Sequence, residues 1–217
     1  MVQTAVLAAA LSVFLGLFLA GITQAADTPV KIVVLGDSLS AGHNLPASAA
    51  FPARLERALR AKGHVVEVAN AGVSGDTASG GLARLDWSVP DGTAAVIVEL
   101  GANDMLRGID SKVTQRAIEE IVRRLTERRI TVLLAGMRAI PNLGITYVRG
   151  FESIYGEIAA KYDVLLYPFF LDGIAGEATF NQRDGVHPLA TGVDKIVAGI
   201  LPKVEELLSR TRNRRGP

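Results

Sequence analysis

Apolar positions along this chain follow two alternating periods, and the alternation predicts strands interleaved with helices. Residues 30 to 35 are apolar except for Lys31 and stop at Gly36, as a buried strand does. From Phe51 and Pro52 to about Lys62, Leu55, Ala58 and Leu59 share one helical face, with proline in the first turn and Gly63 as the stop. Residues 65–69 predict a second strand, followed by the small-residue loop 70–77. A helix begins across 80–85, Pro90 to Gly92 makes a turn, and 94–100 predicts a third strand. Residues 112–128 carry Val113, Ala117, Ile118, Ile121 and Leu125 at helical spacing, and 130–135 predicts a fourth strand. A long exit loop, 136–144, precedes a helix over 146–161 and a short fifth strand over 164–167. Residues 171–190 are irregular, and the closing helix, 191–210, is expected to kink or break at Pro202. Strands alternating with helices favour an α/β fold, with a parallel sheet covered by helices on both faces.

Composition narrows the possibilities. A chain of 217 residues with a formal charge of +1 suits one domain, and it lacks the basic field that gathers nucleic acid. Arg210, Arg212, Arg214 and Arg215 make the end of the chain basic, and residues 211–217 are expected to be a solvated tail. The absence of cysteine removes disulfides and thiolate metal sites. Residues 1–26 carry no Lys, Arg, Asp or Glu, and 6–22 are almost continuously apolar. Small residues at Thr23 and Ala25 follow, so residues 1–25 are expected to be an export signal, with the folded domain over 26–210. An uncleaved N-terminal anchor is the alternative, because the apolar run approaches the length of a spanning helix. Either way the domain is expected outside the cytoplasm, periplasmic or secreted.

The chemistry gathers at strand ends. Open parallel sheets bind ligands beyond the carboxyl ends of their strands. Three of those ends carry small or polar loops, 36–42, 70–77 and 101–104, and a fourth loop, 184–188, precedes the last helix. Together they offer Ser38, Gly72, Asn103, Asp184 and His187. A serine hydroxyl needs an adjacent base to become a nucleophile. A histidine supplies that base near neutral pH, and a carboxylate on its other nitrogen fixes the tautomer. Asp184 precedes His187 by three residues with Gly185 between, and a tight turn sets carboxylate and ring side by side. The backbone N–H groups of Ser38 and Gly72 and the amide of Asn103 are candidate oxyanion donors. Asp37 is expected to pin the turn, Asp104 to cap a helix, His43 to stand in an exposed loop, and His64 to lie on the surface. The loops match neither a P-loop nor a dinucleotide fingerprint, and one His–Asp pair is too small a ligand set for a dedicated metal site.

Gly36-Asp37-Ser38-Leu39-Ser40, Gly72 in the second loop, Gly101-Ala102-Asn103-Asp104 and Asp184-Gly185-Val186-His187-Pro188 resemble, in order, the four signature blocks of the SGNH (GDSL) hydrolases. The stretches 36–42, 74–77, 81–85 and 98–104 are similar to the periplasmic branch with thioesterase, arylesterase and lysophospholipase activity. The resemblance spans about residues 30–205. It implies a flavodoxin-like three-layer α/β/α fold with a five-stranded parallel sheet, and no metal or organic cofactor. It also implies Ser38 as nucleophile, His187 as base, Asp184 as its orienter, and an oxyanion hole of Ser38, Gly72 and Asn103.

The expected reaction is hydrolysis of carboxylic esters and thioesters through an acyl-enzyme, and the expected partner is a small acyl substrate, lipid-derived in one version. Leu39, Leu106, Ile140, Leu143 and Ile145 are candidates to line an acyl pocket. No nucleic-acid or obligate protein partner is expected. Two other functions fit the same fold: a carbohydrate or peptidoglycan O-acetylesterase, and a non-catalytic binding module.

Overall fold

The structure, a computed structural model, describes residues 28–215. The expected export signal lies outside the described residues. Five parallel strands form one sheet in the order β2-β1-β3-β4-β5: β1 (Val30–Gly36), β2 (Val66–Gly72), β3 (Ala95–Glu99), β4 (Thr131–Ala135) and β5 (Leu165–Tyr167). This is the flavodoxin-like order, and its switch point lies between β1 and β3. The register runs Gly36 beside Gly72 on one side and beside Glu99 on the other. The carboxyl ends of the three strands that carry the polar loops are therefore level.

The central strands read as continuous hydrophobic runs because helices bury both faces. All five residues of β3 and all five of β4 are buried. Two long helices, α2 (Phe51–Ala61) and α8 (Ala190–Arg215), pack together on one face. On the other face lie α3 (Ala78–Ala83), α6 (Ser111–Glu127) and α7 (Ile145–Tyr162). Short helices fill the loops: α1 (Ser38–Ala41), α4 (Leu85–Ser88) and α5 (Ala102–Leu106). Phe51 at the start of α2 meets Phe170 edge to face, ring centroids 4.9 Å apart, and both are fully buried.

Strand β2 is an edge, and side chains of α2 take two of its backbone groups. Glu56 of α2 accepts the Val68 N–H at 2.7 Å, and Arg60 donates to the Val66 carbonyl at 2.9 and 3.1 Å. The two side chains also pair with each other at 3.0 Å. Capped this way, the edge offers little to a strand from another chain.

Three local expectations change. Helix α8 continues through Pro202 without a break and takes in residues 211–215, which the sequence suggested were a solvated tail. Residues before and after the proline sink into the core, with Ile200, Val204, Leu207 and Leu208 buried, so packing outweighs the proline's local cost. Asn70 to Gly72 belong to β2 rather than to the loop after it. His64 is half-buried against Glu205, its Nε2 3.1 Å from a carboxylate oxygen. Among the described residues no helix is long and apolar enough to cross a membrane.

Candidate active site

The chain turns sharply at the end of β1, and Asp37 makes that turn. Its Oδ1 accepts the Leu39 N–H at 2.9 Å and so caps α1. Ser38 is the first residue of α1, where backbone N–H groups have no intrahelical acceptor and face outward. The Ser38 hydroxyl therefore stands at the carboxyl edge of the sheet beside a free donor.

The histidine arrives from the far end of the chain. His187 Nε2 lies 2.9 Å from Ser38 Oγ, across a sequence separation of 149 residues. His187 Nδ1 lies 2.8 Å from Asp184 Oδ2. The other oxygen of Asp184 accepts the N–H groups of Val186 and His187 at 2.9 and 3.0 Å. Those donors, with the His187 backbone N–H foremost and its ring next, hold the Asp184 carboxyl well below the usual carboxylate range. A carboxylate only accepts, so the ring proton sits on Nδ1 and the Nε2 lone pair faces the serine hydroxyl.

Asn103 comes from the first turn of α5. Its amide donates to Asp37 Oδ2 at 3.1 Å. A carboxamide has two N–H donors. One is spent fixing the plane of the group, and the other has no acceptor among the described residues.

Gly72 does not serve as the sequence suggested. Its N–H donates to Asn70 Oδ1 at 2.9 Å. Its Cα packs against α1 so closely that a Cβ would come within 2.4 Å of the Ala41 nitrogen. Gly72 is thus a close-packing residue, and an oxyanion would have to displace an existing acceptor to reach its donor. Gly75, three residues on, has φ +82° and an N–H with no acceptor among the described residues. Arg107, one turn beyond Asn103, donates to the Gly75 carbonyl at 2.7 Å, so this loop rests on the same helix that carries Asn103. Arg84 locks the neighbouring strand ends, donating to the carbonyls of Gly36 and Ala71 and pairing with Asp76 at 2.7 Å.

Beneath the serine turn Asp37 is joined by a second carboxyl group, Glu99, which the sequence did not flag. Glu99, fully buried at the end of β3, accepts from Ser40 Oγ at 2.7 Å and from the Asp37 N–H at 3.4 Å. Burial foremost, then the charge of Asp37, pushes its pKa well above the ordinary glutamate value. Its Oε1 is buried with no partner among the described residues, an arrangement far cheaper for a neutral acid than for a carboxylate. Burial likewise pushes Asp37 up to about 6. A carboxyl raised in the folded state contributes most stability below its unfolded pKa, and loses it as pH climbs through the folded value. Glu99→Gln, neutral at every pH, is therefore expected to gain on the wild type as pH rises from 4.5 to 7. Urea unfolding at both values measures this; a constant difference would mean that folding does not raise the Glu99 carboxyl.

Asp104 also differs from expectation. It does not cap its own helix, since Gly101 holds that position. Its buried carboxylate takes the Ala78 N–H at 2.8 Å and the Thr114 hydroxyl at 3.0 Å, tying α3 and α6 to the site. His43 is half-buried rather than exposed.

Of the acyl-pocket candidates, Leu39 is packed into the core. Leu106 at the end of α5, Ile140 in the loop after β4 and Ile145 at the start of α7 are exposed, and Leu143 is partly buried between the last two in sequence. Val73, Val186 and Leu189 are also exposed, in the loop after β2 and in the segment before α8. Apolar residues inside otherwise polar loops were the available signal for them. Among the described residues no three metal-ligating side chains converge.

Residues 34–195 match the model of the GDSL-like lipase/acylhydrolase family. Esterase TesA of Pseudomonas aeruginosa is 36% identical over 188 residues, covering 86% of this chain and 93% of the relative. Thioesterase 1/protease 1/lysophospholipase L1 of Escherichia coli is 39% identical over 173 residues, covering 79% and 82% of the two chains. The crystal structure of AlinE4, an SGNH-hydrolase family esterase, superposes with a TM-score of 0.71 at 42% identity, covering 84% of this chain and 98% of that one. With the sheet order, the serine turn and these matches in hand, the chain belongs to the GDSL-like lipase/acylhydrolase family and is a serine ester hydrolase of the esterase and thioesterase type.

Proposed function

We propose that this hydrolase works through Ser38, with His187 as general base and Asp184 as the group that orients it. The observation that carries the reading is the unbroken relay from Asp184 through His187 to Ser38, with contacts of 2.8 and 2.9 Å. His187 takes the hydroxyl proton as Ser38 attacks the acyl carbonyl. The oxyanion is met by the Ser38 N–H, the free N–H of Asn103 and a donor of the 73–76 loop, assigned to Gly75 in place of Gly72. His187 then protonates the leaving alcohol or thiol. Water, deprotonated by the same ring, cleaves the acyl-enzyme and returns Ser38.

Leu106, Ile140, Leu143 and Ile145, joined by Val73, Val186 and Leu189, form the acyl-accepting rim in this reading. An apolar rim suits medium and long acyl chains, as in esters and thioesters of lipid origin. Residues 1–25 act as the export signal, which would deliver the domain to the periplasm or the exterior. The experiment is hydrolysis of p-nitrophenyl esters from acetate to palmitate by the domain starting at Asp27. The expected profile has kcat/KM rising from acetate to the medium chains. A sharp maximum at acetate would favour an O-acetylesterase, and inactivity on every ester would favour a binding module.

A further inference from the structure

His187 does not stand alone at the site. The ring of His43 lies against it, centroids 4.3 Å apart and planes inclined by 35°. His43 belongs to the nucleophile turn, since its N–H donates to the Ser38 carbonyl at 3.2 Å. The same residue is tied to the histidine loop from the other side. Gln182 donates from one amide nitrogen to the His43 carbonyl at 2.8 Å and to the Pro188 carbonyl at 3.0 Å. Its backbone N–H donates to the His187 carbonyl at 2.7 Å, and Asn44 donates to its side-chain oxygen at 3.2 Å. The serine turn and the histidine loop thus meet at a ring stack and at a side-chain clamp, both centred on residues 43 and 44.

Two hydrogen bonds do not by themselves hold an imidazole through a catalytic cycle. The bond to Asp184 leaves the ring free to swing about the Nδ1–Oδ2 axis. The bond to Ser38 is lost once that oxygen carries an acyl group, which is when the ring must aim at water. A flat surface beside the ring removes the swing in both halves of the reaction. We propose that His43 is a positioning residue: its ring is the wall against which the His187 imidazole stacks, holding Nε2 in line with Ser38 and then with the hydrolytic water. The proposal rests on His187 being the base. It assigns His43 no proton transfer, only a flat aromatic face.

The test compares His43→Ala, His43→Leu and His43→Phe with the wild type and with Ser38→Ala in p-nitrophenyl butyrate hydrolysis. Alanine removes the wall, leucine keeps bulk without a flat face, and phenylalanine keeps the face without any titratable nitrogen. The expected result is a fall in kcat of about tenfold for Ala and Leu with KM little changed, the size of a lost aromatic contact plus slight misaiming. Phenylalanine is expected to restore kcat to within about threefold of wild type, since the ring face is what it retains. Wild-type kcat in either the Ala or the Leu variant overturns the proposal, as does a Phe variant no better than Ala. A change carried mainly by KM also overturns it, because that would make His43 a substrate contact. Activity surviving in Ser38→Ala would instead sink the nucleophile assignment, so the two failures are separable.

Discussion

His187→Ala is expected to lower kcat by roughly 10⁵- to 10⁶-fold, the loss seen when a nucleophile is deprived of its base. The geometry gives the reason. Among the described residues no other basic side chain is hydrogen-bonded to Ser38 Oγ; His43 meets the ring of His187 and makes no hydrogen bond to the hydroxyl. Without His187 the serine proton has only water to go to, and the leaving group has no acid. Because the three groups act as a unit, the Ser38→Ala, His187→Ala double variant is expected to be no worse than either single change. Steady-state hydrolysis of p-nitrophenyl butyrate, with active-site concentration fixed by titration of the wild type, measures both. Losses that multiply in the double variant would mean that Ser38 and His187 act independently.

Asp184→Asn is expected to cost about 10³- to 10⁴-fold in kcat while leaving the fold intact. The variant keeps an oxygen able to accept the N–H groups of Val186 and His187, so the turn survives. Its amide nitrogen replaces Oδ2 and presents donors to His187 Nδ1, which then holds a lone pair. The ring proton moves to Nε2 and points at Ser38, so the ring can no longer act as base. The Asp184 side chain is 43% exposed, and water can partly stand in for it, which keeps the expected loss below that of removing the ring. The wild-type carboxyl stays ionised far into the acid range, because three donors hold its pKa well below the usual carboxylate range. Loss of activity between pH 7 and 5 is therefore expected to reflect groups other than Asp184. A variant within tenfold of wild type would remove Asp184 from the relay.

What could be read in advance follows from where the information lies along the chain. The strands β1, β3 and β4 announce themselves as apolar runs because both faces of each are covered. Ser38 and Asn103 stand out as polar residues in small-residue loops after such runs, and Asp184 and His187 as a carboxylate and an imidazole spaced across a glycine turn. The loop donor was harder. Gly72 and Gly75 look alike in sequence, and only the acceptor at Asn70 and the packing against Ala41 separate them. Glu99 closes an apolar strand, and nothing local reveals that it meets Ser40, 59 residues away. His43 looked like a loop histidine because its partner sits in a segment placed beside it only by the fold. Asp104 carried a helix-cap signature, yet its acceptors were taken by Ala78 and Thr114 across the site. Local pattern determines elements; it does not determine which side chains of distant elements touch.

The central claim is that Ser38 is the nucleophile, and covalent labelling tests it most directly. Diethyl p-nitrophenyl phosphate phosphorylates an activated serine and stops there, so each active site carries one stable adduct. The domain from Asp27 onward, incubated with this reagent, is expected to lose esterase activity in step with the gain of one diethylphosphoryl group. Peptide mass spectrometry is expected to find that group on Ser38, and His187→Ala is expected to remain essentially unlabelled. Complete inactivation with the group on another residue, Ser40 included, or full labelling of His187→Ala, would contradict the mechanism.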